Sequence, residues 1–523
     1  MTAGTADATD TAARIAAGYA FSGIALELGC VVLDGTAHPD APVRIPLGML
    51  NRHGLIAGAT GTGKTKTLQG LAEQLSANGV PVVVADIKGD LSGLAQAGES
   101  NDKVVQRSTD TGDSWQPTAY PVEFLALGGL GTGIPVRATM TAFGPLLLSK
   151  ILDLNETQES SLGLIFHYAD SAGLPLLDMK DLRSLIQYLT SESGKADLTN
   201  IGGLSKATAG VILRELITLE NNGGDVFFGE PEWEPSDLLR TASDGRGIIS
   251  AIELSQVQDR PGLFSTFLMW LLADLFHELP EVGDPDKPKL VFFFDEAHLL
   301  FNGASKAFLD QVTQTVRLIR SKGVGIFFVT QVPADLPDGV LGQLGNRVQH
   351  ALRAFTPDDA SNLARAVRTY PKTSDYKLEE LLTQLGTGEA VVTVLSDRGA
   401  PTPVAWTRLR APRSLMAQID PAAQQQAVAA SGLLAKYGPS VDRESAYEKL
   451  AARLAQPESP ASGPEQPAKP EAKPGSKTAS KTDEGSLANV LSSSAFKSFA
   501  RSAATVLGRE ITRSIFSTAK RRR

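Results

Sequence analysis

The 523-residue chain contains one cysteine, Cys30. A single thiol excludes a disulfide framework and fits a reducing compartment; beside Val31 and Val32 it reads as a small buried hydrophobe. No apolar run approaches the eighteen or so residues of a membrane-spanning helix. Residues 1–14 are small, polar and threonine-rich, without a charged n-region or an apolar h-region, so no secretory signal is expected there. These absences point to a cytoplasmic protein whose residues 1–20 form a disordered lead-in. No internal repeat with a fixed period is visible. No base-reading motif is present, so sequence-specific nucleic-acid binding is not expected.

What is present supports a large folded body. Hydrophobic residues make up 42% of the chain and charged residues 21%. Net charge is −8, unevenly spread. Residues 486–523 carry eight basic side chains against Glu510 alone, a balance of +7; the rest of the chain therefore carries about −15. An acidic body does not exclude nucleic acid, because positive charge can be confined to a channel.

The segment Gly58-Ala59-Thr60-Gly61-Thr62-Gly63-Lys64-Thr65 fits G-x-x-x-x-G-K-[ST]. An apolar strand, 53–57, is predicted before it. A helix over 64–78 is predicted after it, with Leu68, Leu71, Ala72 and Leu75 on one face and Gly79 as its stop. In that setting glycines let backbone N–H groups converge on phosphate oxygens, and the helix N-terminus adds partial positive charge. Lys64 is expected to reach the β- and γ-phosphates and Thr65 to hold Mg²⁺, with Lys66 a further residue on the nucleotide side.

A second signal is the run Leu290-Val291-Phe292-Phe293-Phe294 ending in Asp295-Glu296. Without alternation it reads as a strand buried on both faces. Asp295 is placed to position Mg²⁺ through water, and Glu296 to orient and deprotonate an attacking water, so hydrolysis is favoured over kinase chemistry. A third strand, 323–329, ends at Thr330-Gln331. Gln331 has two readings: a side chain that reports the γ-phosphate, or an ordinary strand-to-loop hydrogen bond. Between these strands, 306–322 is predicted helical, with Phe308, Val312, Val316 and Ile319 on one face. Asp86 and Lys88, after the buried strand 81–86, either approach the nucleotide or pair with each other.

The predicted organisation is α/β: 21–99 and 246–410 form one sheet-based body, interrupted by a mainly helical insertion at 100–245. A helical extension follows at 411–455. Residues 456–485, rich in Pro, Ala, Lys, Glu and Ser, form a flexible linker. Residues 486–523 form a basic amphipathic helix with Phe496, Phe499, Leu507, Ile511 and Ile515 in one stripe. Its candidate targets are nucleic-acid phosphate, an anionic membrane surface, and a partner subunit's groove.

With both nucleotide motifs placed, the chain resembles the HerA-like branch of the HerA/FtsK ATPases, in particular the bacterial subfamily labelled "helicase HerA-like". The matching stretches include 58–65, Asp86-Ile87-Lys88-Gly89-Asp90, 144–148, 154–158, 227–231, 287–301 and 344–355. The resemblance implies a RecA-like P-loop NTPase core, ATP with Mg²⁺, and a homo-hexameric ring that translocates on or remodels DNA. In such rings an arginine completes the neighbour's site; Arg347 is the candidate and Arg353 the runner-up. The rival reading is an ATP-driven assembly or protein-translocation ATPase without DNA activity; a nucleotide-binding scaffold is disfavoured by Glu296. Archaeal relatives carry a β-barrel before the phosphate loop. Only 57 residues precede Gly58 here, so that barrel is not expected.

Overall fold

The computed structural model describes residues 3–198, 202–302 and 306–455. Among the described residues, twelve strands make one sheet: β1 Ala25–Leu33, β2 Thr36–Pro46, β3 Gly54–Ala57, β4 Val82–Asp86, β5 Val122–Leu127, β6 Ile134–Val136, β7 Ile249–Glu253, β8 Leu290–Phe294, β9 Val324–Thr330, β10 Asn346–Gln349, β11 Glu389–Thr393 and β12 Ala405–Leu409. Their order is β2-β1-β12-β11-β10-β3-β9-β8-β4-β7-β5-β6. From β10 to β6 every neighbouring pair is parallel; from β10 to β2 every pair is antiparallel. This is the α/β architecture expected, with a predominantly parallel sheet.

Composition explains which strands lie in the middle. Every residue of β3, β4, β7, β8 and β9 is buried. Such strands read as continuous apolar runs because helices cover both faces of a parallel sheet. The helix Lys64–Ala77 carries the chain from β3 to β4, and β8 and β9 fill the gap between those strands. The register pairs Ala57 with Thr330, Phe294 with Phe328, and Ala85 with Phe294. The C-terminal ends of β3, β9, β8 and β4 therefore come together at one edge, where α/β sheets bind ligands.

The chain divides into two compact units. One contains residues 1–137 and 231–440, with the whole sheet. The other contains, among the described residues, 138–230 and 441–455. In this second unit, helices Met140–Ile151, Glu156–Ser171, Met179–Thr190 and Lys206–Asn221 pack on Leu162, Ile165, Leu182, Leu185, Ile186 and Ile212. Capping boxes at Asn155 and Asp178 set two of the helix starts. The buried Asp181 carboxylate also accepts from the Tyr447 N–H at 2.9 Å, which anchors the helix Ala446–Ala455.

Two expectations change. The helical insertion, expected at 100–245, gives way to a narrower helical unit, because β5 and β6 belong to the sheet. Residues 1–20 are not a disordered lead-in: Ala3–Ala17 is a helix whose Ala12 and Ile15 are buried. Alanine-rich composition favours that helix, and the Tyr19 hydroxyl ties its end down by donating to the carbonyls of Val392 (2.9 Å) and Pro403 (2.6 Å). Strand β10 ends at Gln349, and the residues after it bond to the end of β3 and the loop beyond, His350 N–H to Ala57 O and Ala59 N–H to Ala351 O. The linker 456–485 and the basic helix 486–523 lie outside the described residues.

Candidate nucleotide site

The loop joining β3 to the helix Lys64–Ala77 is held from both sides. Gly58 N–H donates to Thr330 O on β9 (3.2 Å), and Ala59 N–H to Ala351 O beyond β10 (2.8 Å). Gly388 N–H donates to Thr62 O (3.0 Å) from the turn before β11. Two glycines are obligatory by geometry. At Gly58, with φ +154°, a Cβ would lie 2.5 Å from the His350 Cβ; Gly63, at φ +111°, caps the helix in the left-handed region. No side chain caps this helix start, so its first N–H groups are presented to the loop.

Lys64 is buried, and its ammonium donates to Gly58 O at 2.7 Å. Burial lowers its pKa, while Glu296 and Asp295, within electrostatic reach, raise it. Thr65 stands half-buried in the first helical turn. Thr60 and Gly61 at the loop tip are exposed, and Thr62 is buried with its hydroxyl donating to Ala59 O at 2.7 Å. Lys66 turns along the helix instead, donating to Gln69 Oε1 at 3.0 Å, within reach of the Asp90 and Asp86 charges.

Asp295 and Glu296 follow β8. Asp295 is buried; its Oδ1 accepts the Glu296 N–H at 2.9 Å, and its Oδ2 is buried without a hydrogen-bond partner among the described residues. Burial first, then the Glu296 charge, push its pKa up to about 7. An orphaned buried carboxylate oxygen beside the phosphate loop is the donor a hard cation takes, so Asp295 and Thr65 fit the Mg²⁺ expected from the sequence. Glu296 has φ +46°. Its Oε1 accepts from the Lys88 ammonium at 2.8 Å, and its Oε2 lies 3.5 Å from His298 Nδ1. Burial raises the Glu296 pKa, but Lys88, His298 and Lys64 outweigh it and the net shift is downward.

Lys88 thus pairs with Glu296 and not with Asp86. The Asp86 carboxylate accepts the Gly89 and Leu91 N–H groups, each at 2.8 Å, and shapes the turn that presents Lys88. Gln331 is exposed directly after β9, next to the residue bonded to Gly58. The tied side chain at this strand end is Thr330, whose hydroxyl donates to Asp335 Oδ2 at 2.6 Å.

Arg347 lies in β10 opposite Leu55, two residues before the end of β3. Its guanidinium donates to Leu344 O and Leu341 O, both at 3.3 Å, within its own subunit. Arg353, two residues past the Ala351 carbonyl that holds the loop, is exposed, and Phe355 beside it is 84% exposed.

Two contributors were not singled out from the sequence. His350 is buried against the loop, its N–H donating to Ala57 O at 2.7 Å. Arg107 donates to Gly388 O and Thr387 O, both at 3.0 Å, and so braces the turn that holds Thr62. His350 falls within the stretch 344–355 that carries the family resemblance; nothing local marks Arg107.

A family model described as "Helicase HerA-like C-terminal" matches residues 32–523. No curated protein sequence matches significantly. Solved structures similar in fold include the bacterial conjugative coupling protein TrwBΔN70 in its unbound monoclinic form. It is 15% identical, with 77% of this chain and 94% of that one covered and a TM-score of 0.48. TrwB in complex with ADP and Mg²⁺ is 15% identical, covering 76% and 98%, with a TM-score of 0.47. VirB4 of Thermoanaerobacter pseudethanolicus is 14% identical, covering 75% and 97%, with a TM-score of 0.47.

Proposed function

The chain belongs to the helicase HerA-like C-terminal family, and on that premise we propose that it is an ATP hydrolase acting as a homo-hexameric ring that translocates on or remodels DNA. The observation that carries the hydrolase reading is the convergence of Lys64, Asp295 and Glu296 at one sheet edge. Their groups lie within electrostatic reach of one another although Lys64 and the acid pair are far apart in sequence. The DNA assignment rests on family membership.

The loop 58–65 cradles the phosphates through its backbone and the uncapped helix start, and Lys64 leaves the Gly58 carbonyl for the β- and γ-phosphates. Thr65 and Asp295 hold Mg²⁺, which supplies charge neutralisation at the phosphates when bound. Glu296 orients the attacking water and takes its proton. Gln331 is the candidate to report the γ-phosphate. Arg353 replaces Arg347 as first candidate to act on the neighbouring subunit, since Arg347 is engaged within its own chain. The tail 486–523 adds a peripheral contact to DNA or to an anionic membrane.

Two variants test the hydrolase. Lys64→Ala abolishes nucleotide binding or turnover; Glu296→Gln keeps binding and loses turnover. Wild-type turnover in Glu296→Gln overturns the assignment of the acid pair. Turnover measured with and without DNA then tests the substrate: stimulation supports the translocase, whereas hydrolysis indifferent to DNA returns the reading to an assembly or protein-translocation ATPase.

A further inference from the structure

The ion pair between Lys88 and Glu296 joins the side chain read as the catalytic base to a lysine with no assigned role. Their strands β4 and β8 are adjacent and parallel, and both residues sit just past the strand ends. The two partners differ in access: the Lys88 side chain is 49% exposed and that of Glu296 is 12% exposed. The lysine is therefore the partner free to move, as a compact charge on a flexible stem. Its backbone is not free. Besides the Asp86 grip on Gly89 and Leu91, Gln418 Nε2 donates to Lys88 O at 3.0 Å.

Lys88, at 2.8 Å, is the shorter of two ion-pair contacts to Glu296, the other being His298 Nδ1 at 3.5 Å from Oε2. The Glu296 Oε2 is buried without a hydrogen-bond partner among the described residues, and the Glu296 backbone adopts the left-handed conformation that a non-glycine residue keeps only where the surroundings enforce it. A carboxylate engaged by an ammonium is poorly placed to accept a proton from water. Lys88 also lies within electrostatic reach of Lys64, so two ammonium groups share one region with the Glu296, Asp295 and Asp335 carboxylates. A terminal phosphate carries up to two negative charges, against one on the carboxylate. Bound Mg²⁺ would offset part of that charge, and the remainder competes with the single charge of Glu296 for the Lys88 ammonium.

We propose that Lys88 distinguishes nucleoside triphosphate from diphosphate: it holds Glu296 until the terminal phosphate takes its ammonium, and the same exchange frees Glu296 to act on water. This rests on the hydrolase reading above. It makes Lys88 a ligand of the γ-phosphate in the triphosphate state and a restraint on the base otherwise, so that a site loaded with diphosphate keeps its base tied.

The decisive background is Glu296→Gln, in which ATP is not consumed and Lys88 has lost its ionic partner. Affinities of the full-length chain for MgATP and MgADP are measured by calorimetry with and without Lys88→Met. The expected result is a loss of tenfold or more in MgATP affinity with MgADP unchanged within twofold; Lys88→Arg keeps most of the preference. Unchanged MgADP affinity also shows that the variant is folded. A tether that never meets phosphate gives the opposite result: MgATP and MgADP affinities both stay as in Glu296→Gln, or fall together, and the proposal is overturned. Failure of the hydrolase reading looks different, because then the unmodified chain binds neither nucleotide or Glu296→Gln turns over normally.

Discussion

His350 Nε2 lies 2.9 Å from the Thr67 hydroxyl, which fastens the end of β10 to the first turn of the helix after the phosphate loop. The imidazole is fully buried, and burial followed by the Lys64 charge lowers its pKa to about 4, so it is neutral at ordinary pH. A neutral ring is the form that can stand beside Lys64 without repelling it.

His350→Ala is expected to weaken ATP and ADP binding together, by about tenfold, or roughly 1.4 kcal/mol, because both ligands use the loop that His350 shapes. That equal loss separates it from Lys88→Met, which discriminates between them. Gly58→Ala is expected to unfold the loop or abolish binding, since its Cβ meets His350 at 2.5 Å in a conformation alanine avoids. Calorimetry with both nucleotides and a thermal melt check the pair. An ATP-only defect in His350→Ala counts against the shared-loop account.

The sheet and phosphate loop were legible because their signals are local. Val291, Phe292 and Phe293 form an unbroken apolar run, and the glycine spacing at Gly58, Gly61 and Gly63 states its own backbone geometry. The helices of the second unit were legible from spacing, as at Leu182, Leu185, Ile186 and Leu189. What was not legible depends on contacts across long sequence separations. Lys88 finds Glu296 208 positions away, and Arg107 reaches Gly388 281 positions away. Strand β5 was hidden because six residues between polar segments carry little periodicity. The N-terminal helix was hidden because its alanines and threonines look like a polar tail until Ile15 and Tyr19 are buried.

Glu253 gives a pH prediction. It ends β7 beside Asp86 on β4, is 8% exposed, and has Oε1 buried without a hydrogen-bond partner among the described residues. Burial first, then the Asp86 charge, raise its pKa from 4.5 to about 7. The folded value lies above the unfolded one, so the folded state holds the proton more tightly. Stability from this group is complete below the unfolded value and is lost as pH rises through about 7. Glu253→Gln removes the titration. It is expected to stabilise the protein at pH 8, on the order of 1–3 kcal/mol, and to change little near pH 4.5. Urea unfolding at the two pH values checks it; equal effects at both would show that the carboxylate is not the cause.

Removing residues 456–523 is expected to leave basal ATP hydrolysis unchanged, because every proposed site residue lies upstream. Binding to DNA or to anionic vesicles is expected to weaken, with the larger loss at low salt, since four consecutive positive charges, Lys520 to Arg523, leave with the segment. Sedimentation with each surface at two salt concentrations tells the targets apart. Undiminished binding to both makes the segment a passive extension.

The two arginines after the phosphate-loop strand separate by what each one touches. Arg347 gives its guanidinium to the Leu341 and Leu344 carbonyls, and burial lowers its pKa. Arg347→Ala takes the guanidinium from both carbonyls, while Leu341 O keeps the Leu344 N–H at 3.3 Å, with an expected cost of about 1 kcal/mol in stability. Arg353→Ala removes an exposed side chain and is expected to leave the melting temperature unchanged within a degree or two. If Arg353 completes a neighbouring site, Arg353→Ala rings lose about 10²-fold or more in turnover while keeping nucleotide affinity, as expected for a charge that acts on the transferring phosphoryl group. Mixing Arg353→Ala subunits with Lys64→Ala subunits then restores part of the activity, because one interface in a mixed ring pairs an intact loop with an intact arginine. The same mixture made with Arg347→Ala shows no rescue beyond dilution. Rescue by Arg347→Ala and none by Arg353→Ala would return the role to Arg347, and the Leu341 and Leu344 contacts would then have to break on ring assembly.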